Sequence, residues 1–307
     1  MPATAVFSFP TNGPFDLVET LNTMTMGMGN PCLRVDSDSA ARLTLATPEG
    51  PAALAAWHDD DELRVEPTGP GAEWLQPFLT DLFGLRFKPP VFENPRRMRV
   101  VGERFAGLRL PKLPTIFPRL LQVVLQQMIT FRDATHGWRK LVERLGARVP
   151  GHDDLWYPPE PKAIARMASF EFIECGILPQ HGRRLVGLAR TAERIEAVWG
   201  HGLEADSLPK TCEYLMSLPG VGPWTVGYLS GSGLGDADAL VLGDYGHPHQ
   251  VAYFFTGEER SDDETMASLL EPYRPHRYYA LTLIIKSGVR PPRRGPRRRS
   301  LRERFRH

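Results

Sequence analysis

The chain has 307 residues, 42% hydrophobic and 24% charged, with a net charge of +1, a globular composition that allows a sizeable core. No apolar run approaches the roughly 18–20 residues that a membrane helix needs, and the N-terminus does not resemble a signal peptide. The three cysteines are widely spread, which argues against a disulfide framework and against a cysteine-held zinc or iron–sulfur site. We therefore expect a cytoplasmic protein without a cofactor.

Residues 1–100 are predicted to form a small N-terminal α+β domain with an antiparallel sheet. Strand-sized stretches are separated by Gly, Pro, Asn and Asp, and one helical segment lies near Glu73–Phe83. Prolines around residues 87–95 indicate a linker or a crossing loop. The strand-sized stretches are Thr4–Phe9, Cys32–Val35, Ala41–Ala46 and Glu62–Val65.

Residues 101–289 are predicted to form a mostly helical domain. Apolar residues recur at helical spacing over Phe117–Leu145, where Asp133 can serve as a cap. Residues 150–161 contain four prolines and predict a loop. Together with the N-terminal sheet, these helices predict an α+β fold. Further helices are predicted near Ala163–Phe172, Gly182–Ala197, Leu208–Leu218, Trp224–Leu229, His249–Phe255, Asp263–Leu270 and Arg277–Lys286.

Residues 290–307 form a basic segment that differs in charge from the rest of the chain. They carry nine arginines and one acid, Glu303, a contribution of +8, so that residues 1–289 sum to −7. Arginine interrupted by proline and glycine is typical of a flexible, disordered polycation. Such a tail can neutralise phosphates and release counterions. A solubilising terminus or attraction to another anionic surface is the alternative.

A helical hairpin is predicted over Leu208–Leu229. Its first helix breaks at Pro219-Gly220-Val221-Gly222, and Pro223 suits the first turn of the second helix. Two glycines two residues apart allow a tight turn with positive φ. Backbone N–H groups of the turn and of the following helix can then face an anion such as a DNA phosphate. An ordinary helical hairpin with a glycine turn is the alternative.

The segment Leu218–Thr225, LPGVGPWT, resembles the hairpin signature of the helix-hairpin-helix DNA glycosylase superfamily. In that family a glycine-rich loop follows the hairpin and leads to an essential aspartate. Here the motif Leu242-Gly243-Asp244-Tyr245 follows, and the interval of 20 residues from Trp224 to Asp244 resembles that of the AlkA-like 3-methyladenine glycosylase branch. The resemblance implies a glycosylase core of two helical subdomains that flank a cleft. Further matching segments are Gly107–Pro111, Leu121–Thr130 and Tyr273–Leu281.

The resemblance implies that Asp244 is the catalytic carboxylate. Cleavage of an N-glycosidic bond builds positive charge on the sugar, and a fixed carboxylate can stabilise that charge and orient water. Capping of the following helix is the alternative role for Asp244, and one residue can have both roles. Asp236 and Asp238 compete on spacing and are interpreted as loop residues.

The resemblance also implies a monofunctional enzyme, because Trp224 occupies the place where some family members have a nucleophilic lysine. Trp224 and Tyr228 lie four residues apart, so one helix face presents both rings to a flipped base. Such rings attract a cationic alkylated purine. Burial of both rings in the core is the alternative.

Contacts to DNA are implied at two further places. The hairpin residues Gly220, Val221, Gly222 and Thr225 match positions that bind the DNA backbone. Met128 matches an apolar wedge that enters the minor groove, with Gln127 as a candidate for contacts in the groove. A core role for Met128 is the alternative.

His247 and His249 are weak evidence for a metal site, because no cysteine or clear third ligand lies nearby. We expect no metal there, and a monomer whose partner is double-stranded DNA that contains damaged bases. The activity predicted from the resemblance is excision of alkylated bases. The alternatives are a glycosylase for oxidised, deaminated or mismatched bases, and a non-catalytic protein that binds damaged DNA.

Overall fold

A computed structural model describes residues 5–292 of the chain. It has an α+β fold, as predicted, in which a five-stranded sheet near the N-terminus is followed by helices. The strands are β1 (Phe7–Pro10), β2 (Leu33–Ser37), β3 (Ala40–Thr47), β4 (Gly50–Asp59) and β5 (Glu62–Thr68). The helices are α1 (Leu17–Thr23), α2 (Ala72–Leu75), α3 (Leu79–Leu82), α4 (Arg96–Arg104), α5 (Phe117–Leu125), α6 (Phe131–Leu145), α7 (Pro161–Ala165), α8 (Ser169–Glu174), α9 (Pro179–Arg190), α10 (Ala192–Trp199), α11 (Ser207–Met216), α12 (Pro223–Gly233), α13 (His247–Thr256), α14 (Asp263–Leu270) and α15 (Arg277–Lys286).

The sheet is antiparallel throughout and has the strand order β1-β5-β4-β3-β2. Strand β4 was missed in the sequence because its four alanines favour a helix by intrinsic propensity. In the fold β4 pairs along its length with both β3 and β5. These ladders on two sides outweigh the local preference of its residues.

The helical pattern over Phe117–Leu145 is divided into two helices, which corrects the prediction of one continuous segment. Helix α5 ends at Leu125 and α6 begins at Phe131. Between them Met128 has a φ of +61°, a conformation that a helix cannot contain. The N-cap of α6 is Thr130, which accepts a hydrogen bond from the Asp133 N–H at 3.1 Å, and the Asp133 side chain takes part in the cap by accepting from the Thr130 hydroxyl at 2.7 Å.

Buried side chains form two large clusters. The first joins the faces of the sheet to helices α5, α6, α9, α10 and the hairpin, and the second joins α4 to α13, α14 and α15. Trp224 and Tyr228 on α12 pack against both clusters. Helix α12 therefore lies where the two cores meet.

The division into residues 1–100, 101–289 and 290–307 stays a prediction. Residues 293–307 of the predicted basic tail lie outside the described residues. Over residues 5–292, no helix combines the length and the apolar composition needed to span a bilayer.

Glu196 on α10 caps the N-terminus of α5. Its Oε1 accepts hydrogen bonds from the backbone N–H groups of Ile116 at 2.9 Å and Phe117 at 2.7 Å. Burial raises the pKa of the Glu196 carboxyl to about 7, and the two N–H groups only partly offset that effect. The folded protein therefore favours the protonated form more than the unfolded chain does.

We expect the stability contributed by the protonated Glu196 to be fully present below pH 4.5 and lost as the pH rises through 7. In Glu196→Gln the side chain stays neutral, so the variant should gain stability relative to the wild type between these two pH values. The gain should be on the order of 3 kcal/mol. Urea unfolding of both proteins at pH 4.5 and pH 8 measures it. Glu193→Gln, an exposed change on the same helix, is the control. A difference between Glu196→Gln and wild type that does not change with pH would contradict the assignment.

Candidate functional site

Three loops and residues of three helices, α9, α12 and α14, line a cleft of about 1420 Å³. The lining segments are the loop between α5 and α6, the turn between α11 and α12, and the loop that precedes α13. Arg184 from α9 and Asp263 from α14 complete the walls. The cleft collects nearly all of the site residues predicted from the sequence. Those that line it are Gln127, Met128, Gly220, Val221, Gly222, Trp224, Thr225 and Asp244.

The hairpin turn requires glycine at only one of its two glycine positions. Gly220 has a φ of +81°, whereas Gly222 is extended, with φ −123° and ψ −176°. The prediction that both glycines serve a positive φ is therefore corrected. A Cβ on Gly220 would lie 2.9 Å from Arg184, but a Cβ on Gly222 would meet no atom within 4 Å. Gly222 is thus not needed for the fold of the turn.

The N-terminus of α12 points open N–H groups at the cleft. Within residues 5–292, the N–H groups of Gly222, Trp224 and Thr225 donate to no acceptor. The Thr225 side chain is buried and its hydroxyl accepts from Gln127, so the predicted contact of Thr225 with DNA would involve its backbone N–H. Val221 is buried as well. The anion-binding capacity of the hairpin therefore resides in its backbone.

Gln127 ties the α5–α6 loop to the hairpin. Its Nε2 donates hydrogen bonds to the Gly220 carbonyl at 2.9 Å and to the Thr225 hydroxyl at 2.8 Å, while its Oε1 accepts from Arg184. The carbonyl of Gln127 lies 2.9 Å from Nε2 of His181, which must donate because a carbonyl only accepts. The Gln127 amide is thus bonded within the protein, and its contact in the groove stays a prediction.

Met128 directly follows Gln127 in the chain and is 76% exposed at the edge of the cleft. The alternative that Met128 fills a gap in the core is therefore wrong. The wedge role stays a prediction. It is compatible with an apolar side chain held outside the fold by a backbone with positive φ.

Asp244 is held by three hydrogen bonds. Its Oδ2 accepts from the Trp224 indole N–H at 2.9 Å, and its Oδ1 accepts from the N–H groups of Gly246 at 2.8 Å and His247 at 2.9 Å. Because α13 begins at His247, Asp244 also satisfies N–H groups at the start of that helix. Burial alone would raise the pKa of Asp244, but the interaction with His247 and these hydrogen bonds outweigh it and lower the pKa. The side chain is therefore a fixed carboxylate at neutral pH.

Trp224 and Tyr228 stack on each other, with ring centroids 5.5 Å apart and planes 8° from parallel. They share a helix face, as predicted, but only Trp224 is among the described residues that line the cleft. Tyr228 lies behind Trp224, and the Arg119 guanidinium lies over the Tyr228 ring, 5.5 Å from the ring centroid. Tyr228 therefore supports Trp224 rather than forming the cleft surface.

The competing acids lie elsewhere. Asp236 and Asp238 occupy the loop after α12, as interpreted from the sequence, and Asp238 pairs with Arg277 at 2.7 Å.

His247 and His249 face different partners. His247 Nδ1 lies 3.8 Å from Asp244, whereas His249 Nδ1 accepts from the Ser261 N–H at 3.1 Å. Burial lowers the pKa of His247. Within the described range, no three His, Cys, Asp or Glu side chains are grouped so that they could hold a metal ion.

Several residues of the cleft were missed in the sequence. Tyr245 is 84% exposed beside Asp244, and its position directly after the aspartate was the signal that could have indicated it. Asp263 accepts from the Gly243 N–H at 2.7 Å and so fixes the loop that carries Asp244. Arg184 had no sequence signal, because it reaches the cleft from the distant helix α9.

No protein-family model matches the chain. The DNA-3-methyladenine glycosylase of Bacillus subtilis (strain 168) is 23% identical over 216 residues, which is 68% of this chain and 67% of that protein. The solved 3-methyladenine DNA glycosylase of Archaeoglobus fulgidus superposes with a TM-score of 0.75 at 19% identity, covering 92% of this chain and 98% of that one. The chain has the helix-hairpin-helix DNA glycosylase fold.

These similarities show the fold and support the resemblance to the helix-hairpin-helix glycosylase superfamily that the sequence indicated. The fold also includes proteins with other named activities. The apo-form of a Clostridium acetobutylicum 8-oxoguanine glycosylase/lyase superposes with a TM-score of 0.66 at 10% identity, covering 91% of this chain and 95% of that one.

We expect Gln127→Ala to lower the free energy of unfolding of this helix-hairpin-helix protein by about 1–3 kcal/mol, because the substitution leaves partners of the amide unsatisfied. Urea denaturation followed by circular dichroism measures the loss.

Gln126→Ala is the matched control, since within residues 5–292 the Gln126 amide donates only to the Gln122 carbonyl of its own helix, at 3.2 Å. Equal stabilities of the two variants would contradict the role of Gln127 as a tie.

Proposed function

We propose that this chain is a monofunctional DNA glycosylase that flips out alkylated bases, of the 3-methyladenine and 7-methylguanine type, and hydrolyses their N-glycosidic bond to leave an abasic site. The observation that carries the proposal is the position of Asp244. Its ionised carboxylate lines the same cleft as the open N–H groups at the start of α12 and accepts from Trp224 of that helix at 2.9 Å.

The hairpin supplies the grip on the DNA backbone. The N–H groups of Gly222, Trp224 and Thr225 and the positive end of the α12 dipole favour a phosphate oxygen. Arg184 lines the same cleft and adds a cation. These contacts read the backbone without regard to sequence, which suits an enzyme that must find damage in any sequence.

In the proposed mechanism Asp244 acts on the sugar next to that phosphate. As the glycosidic bond breaks, positive charge develops on the sugar, and a carboxylate fixed by three hydrogen bonds needs little reorganisation to stabilise it. The same carboxylate can orient the attacking water. The displaced base leaves with the electrons of the glycosidic bond, and water adds to the sugar and gives one proton to the Asp244 carboxylate.

The composition of the cleft favours a lesion that leaves easily. Among the described lining residues there is no lysine, histidine or glutamate, so no amine is present for a Schiff base. A base that already carries positive charge has a weakened glycosidic bond and needs little protonation. The ring of Trp224 and the exposed ring of Tyr245 can attract such a cation, each by about 0.5–2 kcal/mol.

A glycosylase for oxidised bases is the second candidate, favoured by the likeness to the C. acetobutylicum protein. The hairpin and Asp244 act on backbone and sugar and so do not discriminate between lesions. The test is base release from duplexes that contain 3-methyladenine, 7-methylguanine, hypoxanthine, uracil or 8-oxoguanine. Release of the methylated purines supports the proposal. Release of only uracil or 8-oxoguanine, or no release of any base, would overturn it.

We expect Asp244→Asn to reduce excision of 3-methyladenine by at least about a hundred-fold, because the amide carries no negative charge opposite the sugar cation. Affinity for the duplex should change little, since the hairpin is intact. Single-turnover base release and a gel-shift titration measure the two quantities. Excision at the wild-type rate would contradict the role of Asp244.

We expect Gly222→Ala to weaken binding of damaged and undamaged duplexes alike, by about ten-fold, because the new methyl group blocks close approach of a phosphate. The free protein should keep its stability, since no atom lies within 4 Å of the new Cβ.

Gly187→Ala is the control for Gly222→Ala. It places the same methyl group in open space on α9, away from the cleft. Duplex affinity that is equal in the two variants would count against a phosphate at the hairpin.

A further inference from the structure

A second cavity, of about 470 Å³, lies apart from the cleft. Its walls come from residues 11–14, residues 85–92, helix α4 with the turn after it, and Tyr279 of α15. It shares no lining residue with the cleft that contains Asp244. The proposed glycosylase mechanism does not use it.

Arg109 brings an uncompensated charge to this cavity. The residue is only 5% exposed, and its guanidinium donates to the Pro14 carbonyl at 2.7 Å and, weakly, to the Ala106 carbonyl at 3.4 Å. No carboxylate of the described residues pairs with it, and burial lowers the pKa of Arg109. A guanidinium has about five N–H donors, so donors remain for an anion. A buried charge without a counter-ion is costly, and an anionic ligand would remove that cost.

Two further cations line the same cavity. Lys88 and Arg99 are exposed at its walls. The single carboxylate among the lining residues, Glu103, lies 3.9 Å from Arg99 in a solvent-exposed pair. The cavity therefore has an excess of positive charge even though residues 1–289 of the chain sum to −7.

Aromatic rings form another part of the wall. Phe87 and Tyr279 have ring centroids 5.1 Å apart, and Phe92 lies beside Tyr279 at 6.3 Å. A planar base can stack on such rings irrespective of its identity. The volume of about 470 Å³ lies within the range of sites for small molecules.

We propose that this cavity binds a free nucleoside monophosphate, with the phosphate at Arg109 and Lys88 and the base against the half-buried rings of Phe87 and Phe92, which pack on the buried Tyr279. A guanidinium matches the oxygens of a phosphate, and the aromatic rings provide affinity that inorganic phosphate alone cannot obtain. The site is independent of the proposed excision activity, because the two cavities have no residue in common.

Isothermal titration of the full chain with deoxyadenosine monophosphate tests the proposal, with deoxyadenosine and inorganic phosphate as comparison ligands. We expect one bound nucleotide per chain, and at least about ten-fold weaker binding of both comparison ligands, because each lacks one half of the recognised group. Equal affinity for inorganic phosphate would indicate a surface cation only and would overturn the proposal, as would absence of nucleotide binding.

The variant Lys88→Ala should weaken nucleotide binding by about ten-fold without affecting the fold, since the side chain is exposed. Arg104→Ala on α4 removes an exposed cation outside the cavity wall and should leave binding unchanged. Arg109→Lys is the more direct variant, with circular dichroism to check that it folds. Equal affinities of Lys88→Ala and Arg104→Ala would overturn the proposal.

Competition binding tests whether the phosphate that this cavity recognises belongs to a free nucleotide or to a DNA strand. An undamaged duplex should not displace deoxyadenosine monophosphate, and Asp244→Asn should bind the nucleotide as the wild type does. Displacement by the duplex would assign the phosphate to a DNA strand and overturn the proposal. Loss of nucleotide binding in Asp244→Asn would place the nucleotide in the cleft, with the same consequence. Neither result bears on base release.

Discussion

The hydrogen bond of 2.9 Å from the Trp224 indole to Asp244 Oδ2 joins the two parts on which the proposed chemistry depends. Trp224 belongs to the second helix of the hairpin, whose first turn presents its open N–H groups to the cleft. Asp244 belongs to a loop 20 residues further along the chain. With this bond in place, a phosphate held by the hairpin and a sugar next to it would have a fixed position relative to the carboxylate. Preorganisation of this kind, rather than a special reactive group, is what the proposed hydrolysis requires.

Gln127 also stabilises this hairpin. Its side-chain amide donates to the turn between α11 and α12 and to the first turn of α12. Met128, directly after Gln127, is exposed. If Met128 acts as the wedge, its position is fixed relative to the hairpin, which in the proposal binds the DNA backbone. Flipping a base and holding its phosphate would then be geometrically linked. The stacked rings of Trp224 and Tyr228 contact both cores and so support the hairpin rigidly.

The sequence predicted the α+β class, most helices and about half of the residues that line the cleft, because glycine, proline and aspartate at fixed spacing leave few geometries open. It did not predict β4, whose alanines have no strand signal apart from their neighbours. It also did not predict what the polar groups of Gln127 and Thr225 bond, or that Arg184 reaches the site from α9. Such contacts depend on tertiary packing between segments about 60 to 100 residues apart.

Binding of a charged abasic analogue tests the central claim most directly. A duplex in which a pyrrolidine replaces one deoxyribose mimics the cationic sugar, and a neutral tetrahydrofuran analogue has nearly the same shape. We expect the wild type to bind the pyrrolidine duplex at least about a hundred-fold more tightly than the tetrahydrofuran duplex, and this preference to be lost in Asp244→Asn. Equal affinity of the wild type for the two duplexes would contradict a carboxylate that stabilises positive charge on the sugar.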